Sequence, residues 1–242
     1  MKLTKALALP VEKGVTALVG GGGKTSLMYA LGAEYARENR PVIITTTTRI
    51  GIPEPGDVRM ADTESAEHIA VPGTVICVGE NREEGKLSYP GDEVWERCLA
   101  EADRVFAEAD GAKMMPVKAP AGHEPCLNHM GIDSVVAVAG LSALGKPMED
   151  ICFRLDIACS LLDVERKAIL TPEMLAKLLT SPEGQLKNVA SKDSFRVFLN
   201  QADNDILTER GRETAAWIKK FMPGCRVVIG ALKPSVKIRE IL

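Results

Sequence analysis

Val15-Thr16-Ala17-Leu18-Val19-Gly20-Gly21-Gly22-Gly23-Lys24-Thr25-Ser26 decides the fold: an apolar run, four glycines, a lysine and two hydroxyl residues lead into a helical pattern. A strand that passes through glycines into a helix makes a phosphate cradle. Backbone N–H groups converge there on an anion at the positive end of the helix dipole. Lys24 suits the neutralisation of a β- or γ-phosphate, and the Thr25 hydroxyl suits Mg²⁺ ligation. Gly20, Gly21, Gly22, Gly23, Lys24, Thr25 and Ser26 are therefore the expected nucleotide contacts. Four successive glycines destabilise a fold unless backbone must approach something closely.

The loop is a variant of G-x-x-x-x-G-K-[ST], because Leu18 holds the place of the leading glycine. It resembles the G-G-x-G-K-T form found in MinD-like ATPases and metallocentre-maturation GTPases. Val19, however, stands where many of those proteins carry an additional lysine. A homodimer is thus left open rather than implied.

With 242 residues, 45% of them hydrophobic, the chain has enough apolar content for one substantial core, and residues 1–242 read as a single P-loop nucleotide-binding domain. Thirty basic residues against 33 acidic ones give a net charge of −3, which argues against nucleic acid and anionic membrane surfaces as partners. No apolar run approaches a membrane-spanning length, and the short apolar N-terminus runs directly into the first strand. The expected location is the cytoplasm. Six cysteines are scattered without a C-x-x-C pair, which suits buried small hydrophobes rather than disulfides.

Periodicity predicts strands near Val15–Val19, Val42–Thr47, Thr74–Val78, Arg104–Ala109, Ser134–Ala139, Phe195–Leu199 and Arg226–Ile229. Helices are expected at Lys24–Glu38, Asp92–Ala102, Arg154–Leu162, Pro172–Leu179 and Asn204–Phe221, with Thr171 capping the fourth ahead of Pro172. The alternation predicts an α/β class: a three-layer P-loop NTPase-like fold with a mostly parallel sheet covered by helices on both faces. Ligands in such sheets sit at the carboxyl ends of strands. The Gly/Pro-rich segments Gly51–Gly56 and Gly111–Pro125 fall there and read as active-site loops.

Arg104-Val105-Phe106-Ala107-Glu108-Ala109-Asp110-Gly111 is an apolar strand ending in acids. The strand-end carboxylate of a P-loop enzyme holds Mg²⁺ or its waters, which makes Asp110 the first candidate for the metal beside Thr25. Glu108 is then a base or second ligand, and Lys24, Glu108 and Asp110 form the catalytic set. Lys113 and Lys118 follow on a proline-stiffened stretch and are candidate anion contacts, with His123 and Glu124 next to them. His123, Cys126 and His129 have spacings that would suit a borderline metal, but a structural zinc site needs a further ligand. Thr48 and Arg49 should lie at the end of the second strand, near the loop.

Phe195-Arg196-Val197-Phe198-Leu199-Asn200-Gln201-Ala202-Asp203 resembles the N-K-x-D guanine motif with Gln201 in place of lysine. In that reading Asp203 accepts from the base and Asn200 ties the segment to the phosphate loop. In the alternative reading Asp203 or Asn204 caps the following helix. ATP and GTP stay equally open.

Together the glycine loop, Ile44-Thr45-Thr46-Thr47-Thr48, Glu108-Ala109-Asp110-Gly111-Ala112-Lys113, Pro116-Val117-Lys118-Ala119-Pro120 with His123-Glu124-Pro125, and Leu199-Asn200-Gln201-Ala202-Asp203 resemble the YqeC family. The resemblance spans nearly the whole chain. It implies an accessory role in maturing selenium-dependent molybdenum hydroxylases, with a hydroxylase subunit or a cofactor precursor as partner. It supplies no reaction mechanism; the residues of the nucleotide site themselves suit a Mg²⁺-dependent NTPase, a transferase acting on a small anionic precursor, or a nucleotide-switched chaperone.

Overall fold

The computed structural model describes residues 1–53, 58–64, 66–83, 85–129 and 131–242. In chain order the elements are α1 (Leu3–Ala6), β1 (Val15–Gly20), α2 (Lys24–Arg37), β2 (Val42–Thr46), β3 (Arg49–Gly51), β4 (Val58–Met60), β5 (Val75–Cys77), β6 (Glu80–Glu83) and β7 (Lys86–Ser88). There follow α3 (Asp92–Glu101), β8 (Arg104–Glu108), β9 (Val117–Lys118), β10 (Ile132–Gly140), α4 (Met148–Ile151), β11 (Cys152–Phe153) and α5 (Leu155–Leu162). The chain closes with α6 (Pro172–Thr180), β12 (Phe195–Asn200), α7 (Asp205–Phe221), β13 (Arg226–Ala231) and β14 (Lys237–Ile241).

Nine strands form one sheet in the order β14-β13-β12-β10-β1-β8-β2-β5-β4, parallel throughout except where β14 pairs antiparallel with β13. Its central strands are buried along their whole length, as β1 and β8 show. Strands covered on both faces read as continuous apolar runs, which is why the seven central ones were visible in the sequence.

Alternate residues serve opposite layers. Leu18, Ile44, Phe106 and Val136 pack with α1 and α2, while Ala17, Val19, Val135 and Val197 pack with α5, α6 and α7. Trp95 and Cys98 of α3 cover Val15, Ile43 and Val105 on a third patch. The three-layer α/β reading holds. Thr171 caps α6 by accepting from the Met174 N–H, a contact contributing about 1 kcal/mol. Four cysteines are buried and the other two are partly so, and none is bonded to another.

Apart from the edge strand β14, the elements that sequence reading did not find are the short ones. β3, β7 and β6 form a separate antiparallel sheet of three- and four-residue strands, and β9 pairs with β11 over two residues. Such lengths are too short for alternation to register. Gly111–Pro125 therefore holds a strand rather than loop alone. Of Gly51–Gly56, residues 54–56 lie outside the described residues.

Candidate functional site

Between β1 and α2 the backbone is forced close to three other segments. Gly22 has φ 72° and Gly23 φ 122°. A Cβ at Gly22 would lie 2.2 Å from the Gly140 nitrogen, and one at Gly23 would lie 2.4 Å from Asn200 Nδ2. Any side chain would be strained at either φ, and at Gly22 it would also meet fixed backbone. The Gly20 N–H donates to both carboxylate oxygens of Asp110 (3.1 and 3.0 Å). The Gly21 N–H donates to the Val138 carbonyl (2.9 Å), and the Gly22 N–H to that of Met115 (3.0 Å). The donors left to face an anion are those of the first turn of α2, from Gly23 through Ser26, which no helical carbonyl can satisfy.

Lys24 begins that helix, 4% exposed, with Nζ donating to the Gly20 carbonyl at 2.6 Å. It lies 3.4 Å from Glu108 Oε1 and 3.2 Å from Asp110 Oδ1. Burial alone would lower its pKa, but the two carboxylates overrule burial and raise it above the ordinary lysine value, so the ammonium stays charged.

The pairing of β1 with β8 decides which acid faces Thr25. Leu18 lies opposite Glu108, so that side chain reaches the start of α2 and accepts from the Thr25 hydroxyl at 2.8 Å. Asp110, two residues on and fully buried, instead binds the Gly20 N–H, Lys24 and, at 3.0 Å, Lys118. The acid beside Thr25 is thus Glu108, expected as a base or second ligand, and not Asp110, the first candidate.

A cavity of about 1560 Å³ opens over this floor. Gly22 through Ser26 and Glu108 line it, with Asn200, Gln201, Asp203 and the segment Ala231–Pro234 toward β12 and β13. Toward the small sheet and the 111–115 loop it is lined by Arg49, Gly51, Lys86, Lys113, Phe153 and Arg154. Among its described lining residues are eight lysines and arginines against two acids, in a chain whose net charge is −3. Such a concentration of one sign focuses potential on an anion.

Asn200 Nδ2 donates to the Gly22 carbonyl at 2.7 Å, tying the end of β12 to the glycine loop. The N-cap of α7 is Asn204, which accepts from the Leu207 N–H at 2.8 Å. Asp203 is exposed on the cavity instead of capping the helix. Gln201 adopts φ 67° and accepts from the Ser142 hydroxyl at 2.5 Å.

The remaining sequence candidates divide. Arg49 and Lys113 line the cavity; Thr48 stays beside β2, its N–H donating to Thr46 Oγ1 at 3.0 Å. Lys118 and Glu124 do not line it. Lys118, with no exposed side-chain surface, donates to Glu124 (2.5 Å) and to the Gly111 carbonyl (2.7 Å), and Glu124 receives both arms of the Arg154 guanidinium. Burial would push the Glu124 carboxyl up, but hydrogen bonds from Arg154 and Lys118 outweigh it and hold the pKa at about 2. His123 is exposed, and His129 packs against Tyr89 and Trp95 with ring centroids 4.5 and 5.2 Å away. Among the described residues no three histidines, cysteines or acids gather to hold a metal.

For Mg²⁺ a protein-only cage is not needed, since it usually keeps several waters and binds one or two carboxylates with substrate phosphates. The Thr25 hydroxyl and the Glu108 carboxylate supply a donor set of that kind. Sequence reading missed Lys86, Phe153, Arg154, Lys233, Lys237 and Arg239, all on the cavity wall. One signal existed for the 233–239 group, which follows an apolar strand end just as Asn200 does. None marked the others.

The family model described as YqeC protein matches residues 16–156 of this chain. A protein of Escherichia coli (strain K12), described as "Uncharacterized protein YqeC", is 31% identical over 182 residues, covering 72% of this chain and 71% of that one. The matched family span carries the glycine loop, Glu108, Lys113 and Arg154. Asn200, Asp203 and the 231–239 wall lie beyond it.

Proposed function

The chain belongs to the YqeC family, and from that premise we propose that it binds a nucleoside triphosphate with Mg²⁺ and turns it over in the service of maturing a selenium-dependent molybdenum hydroxylase. The observation that carries the nucleotide reading is the meeting of Lys24, Thr25 and Glu108 at the start of α2, on the floor of a basic cavity. The maturation role rests on family membership through the resemblance given above; the E. coli relative's description adds no activity.

In this reading the N–H groups from Gly23 to Ser26 and the Lys24 ammonium take the terminal phosphates, and Thr25 and Glu108 hold the metal. Bound there, Mg²⁺ would neutralise charge developing on the phosphate oxygens. Asp110 positions the site: it fixes the Gly20 N–H and keeps Lys24 charged without meeting the ligand. Asp203, released from capping and facing the cavity, favours guanine over adenine as the base.

Calorimetric titration of GTP, ATP and their diphosphates with Mg²⁺ tests this. Triphosphate affinity should fall about 100-fold in Lys24→Ala, and Glu108→Gln should lose most of the Mg²⁺ dependence. Unchanged affinity in a folded Lys24→Ala protein would overturn the site.

A further inference from the structure

The cavity is larger than one nucleotide needs, since pockets that enclose a single drug-sized ligand hold roughly 300–1,000 Å³ against about 1560 Å³ here. Its two ends are separated by the strand order. Asp203 and Lys233 follow β12 and β13 on one side of β1, whereas Lys113 follows β8 on the other, and Lys86 lies on β7, which pairs with β3, the strand that follows β2 on that same side. A nucleotide with its phosphates at α2 and its base at Asp203 leaves the second end open.

That end is built for negative charge. Lys113 Nζ and the Arg154 guanidinium lie 5.3 and 4.8 Å from the centroid of the Phe153 ring, which gathers them on one wall, where Arg154 is already paired with Glu124 and the uncompensated charge is that of the lysines. Among the described residues no carboxylate pairs with Lys113 or Lys86, and both are exposed to the cavity. The backbone there is strained: Lys113, Met114 and Arg154 take φ of 47°, 61° and 60°. Non-glycine residues persist in that conformation where the surroundings over-determine them, a pattern that clusters at ligand sites.

Resting on the nucleotide reading above, we propose that this wall binds a second substrate, a small oxyanion carrying phosphate or carboxylate groups, which accepts the terminal phosphoryl group. Of the two acids on the described lining, Glu108 is committed to Thr25 and Asp203 lies at the other end. Neither acid is therefore free beside Lys24 to take a proton from an attacking water, whereas an oxyanion at neutral pH is already deprotonated. Its oxygen forms a bond to the γ-phosphorus as the bond to the β–γ bridging oxygen breaks. That electron pair leaves on the nucleoside diphosphate, and no proton is required.

The test is calorimetry on protein saturated with Mg²⁺ and a non-hydrolysable triphosphate, titrated with inorganic phosphate and separately with citrate. One anion site per chain should persist under saturating nucleotide. Lys86→Ala and Lys113→Ala, both at exposed positions, should weaken it about tenfold or more while nucleotide affinity stays within about twofold. Preference between phosphate and citrate tells a phosphorylated from a carboxylate acceptor. Anion binding that vanishes as nucleotide saturates, binding indifferent to both lysines, or rapid phosphate release from triphosphate with no added anion would overturn the proposal. Failure to bind nucleotide at all would instead remove the reading on which it rests.

Discussion

Lysines and acids build two adjoining regions of this molecule, and the two use them oppositely. Behind the site Asp110, Lys118 and Glu124 form a buried chain in which every charge meets an opposite one, joined to the cavity only through Lys24 and Arg154. On the cavity wall Lys86, Lys113, Lys233 and Lys237 face open space, with no carboxylate partner among the described residues. Buried charge is tolerated only when paired and hydrogen-bonded, so the first region is complete as it stands and holds geometry. Exposed, uncompensated charge costs little in water and is available to a ligand. Lys24, buried between Glu108 and Asp110, stands at the junction of the two regions.

The comparison breaks most readily at Lys118. Lys118→Met strips Asp110 and Glu124 of their shared cation, and the fold should lose roughly 3–5 kcal/mol in urea unfolding. An unchanged midpoint would show that the buried chain is not structural. Acid should act next. The Glu124 carboxyl is held at about 2 against an ordinary 4.5, so its contribution is fully present above pH 4.5 and lost as pH falls toward 2. About 3 kcal/mol should disappear across that window, and Glu124→Gln should flatten that part of the pH–stability curve. The smallest effect on stability belongs to the cavity. Asp203→Ala should stay within about 0.5 kcal/mol of the wild type, yet abolish a guanine preference of about tenfold. Adenine preference insensitive to this change would sharpen the contrast in another direction, leaving the β12–β13 end without a base-reading acid.

Sequence alone made the glycine loop between β1 and α2 legible because its pattern is local: strand, glycines, lysine and helix follow one another within twelve residues. Long buried strands were legible for the same reason. Which of Glu108 and Asp110 meets Thr25 was not, since both acids follow the same apolar run and only the pairing of β8 with β1 assigns one to Thr25. Lys118 and Glu124 looked like loop residues open to a substrate. Arg154, which completes their burial, lies 30 residues beyond Glu124, at the left-handed start of α5 with no motif around it. Lys86 was hidden for a different reason, because a three-residue strand carries no period to read.

The glycine loop itself is clamped by Met115, Val138 and Asn200, partners roughly 90 to 180 positions farther along the chain. A chain emerging from the ribosome in order therefore makes its most recognisable motif early and gives that motif its shape late. Until β12 docks, the Gly22 carbonyl has no Asn200 amide to receive, and the loop of a growing chain is not yet held in its final shape. Any ligand that binds only the finished loop would add its binding energy to the last stage of folding.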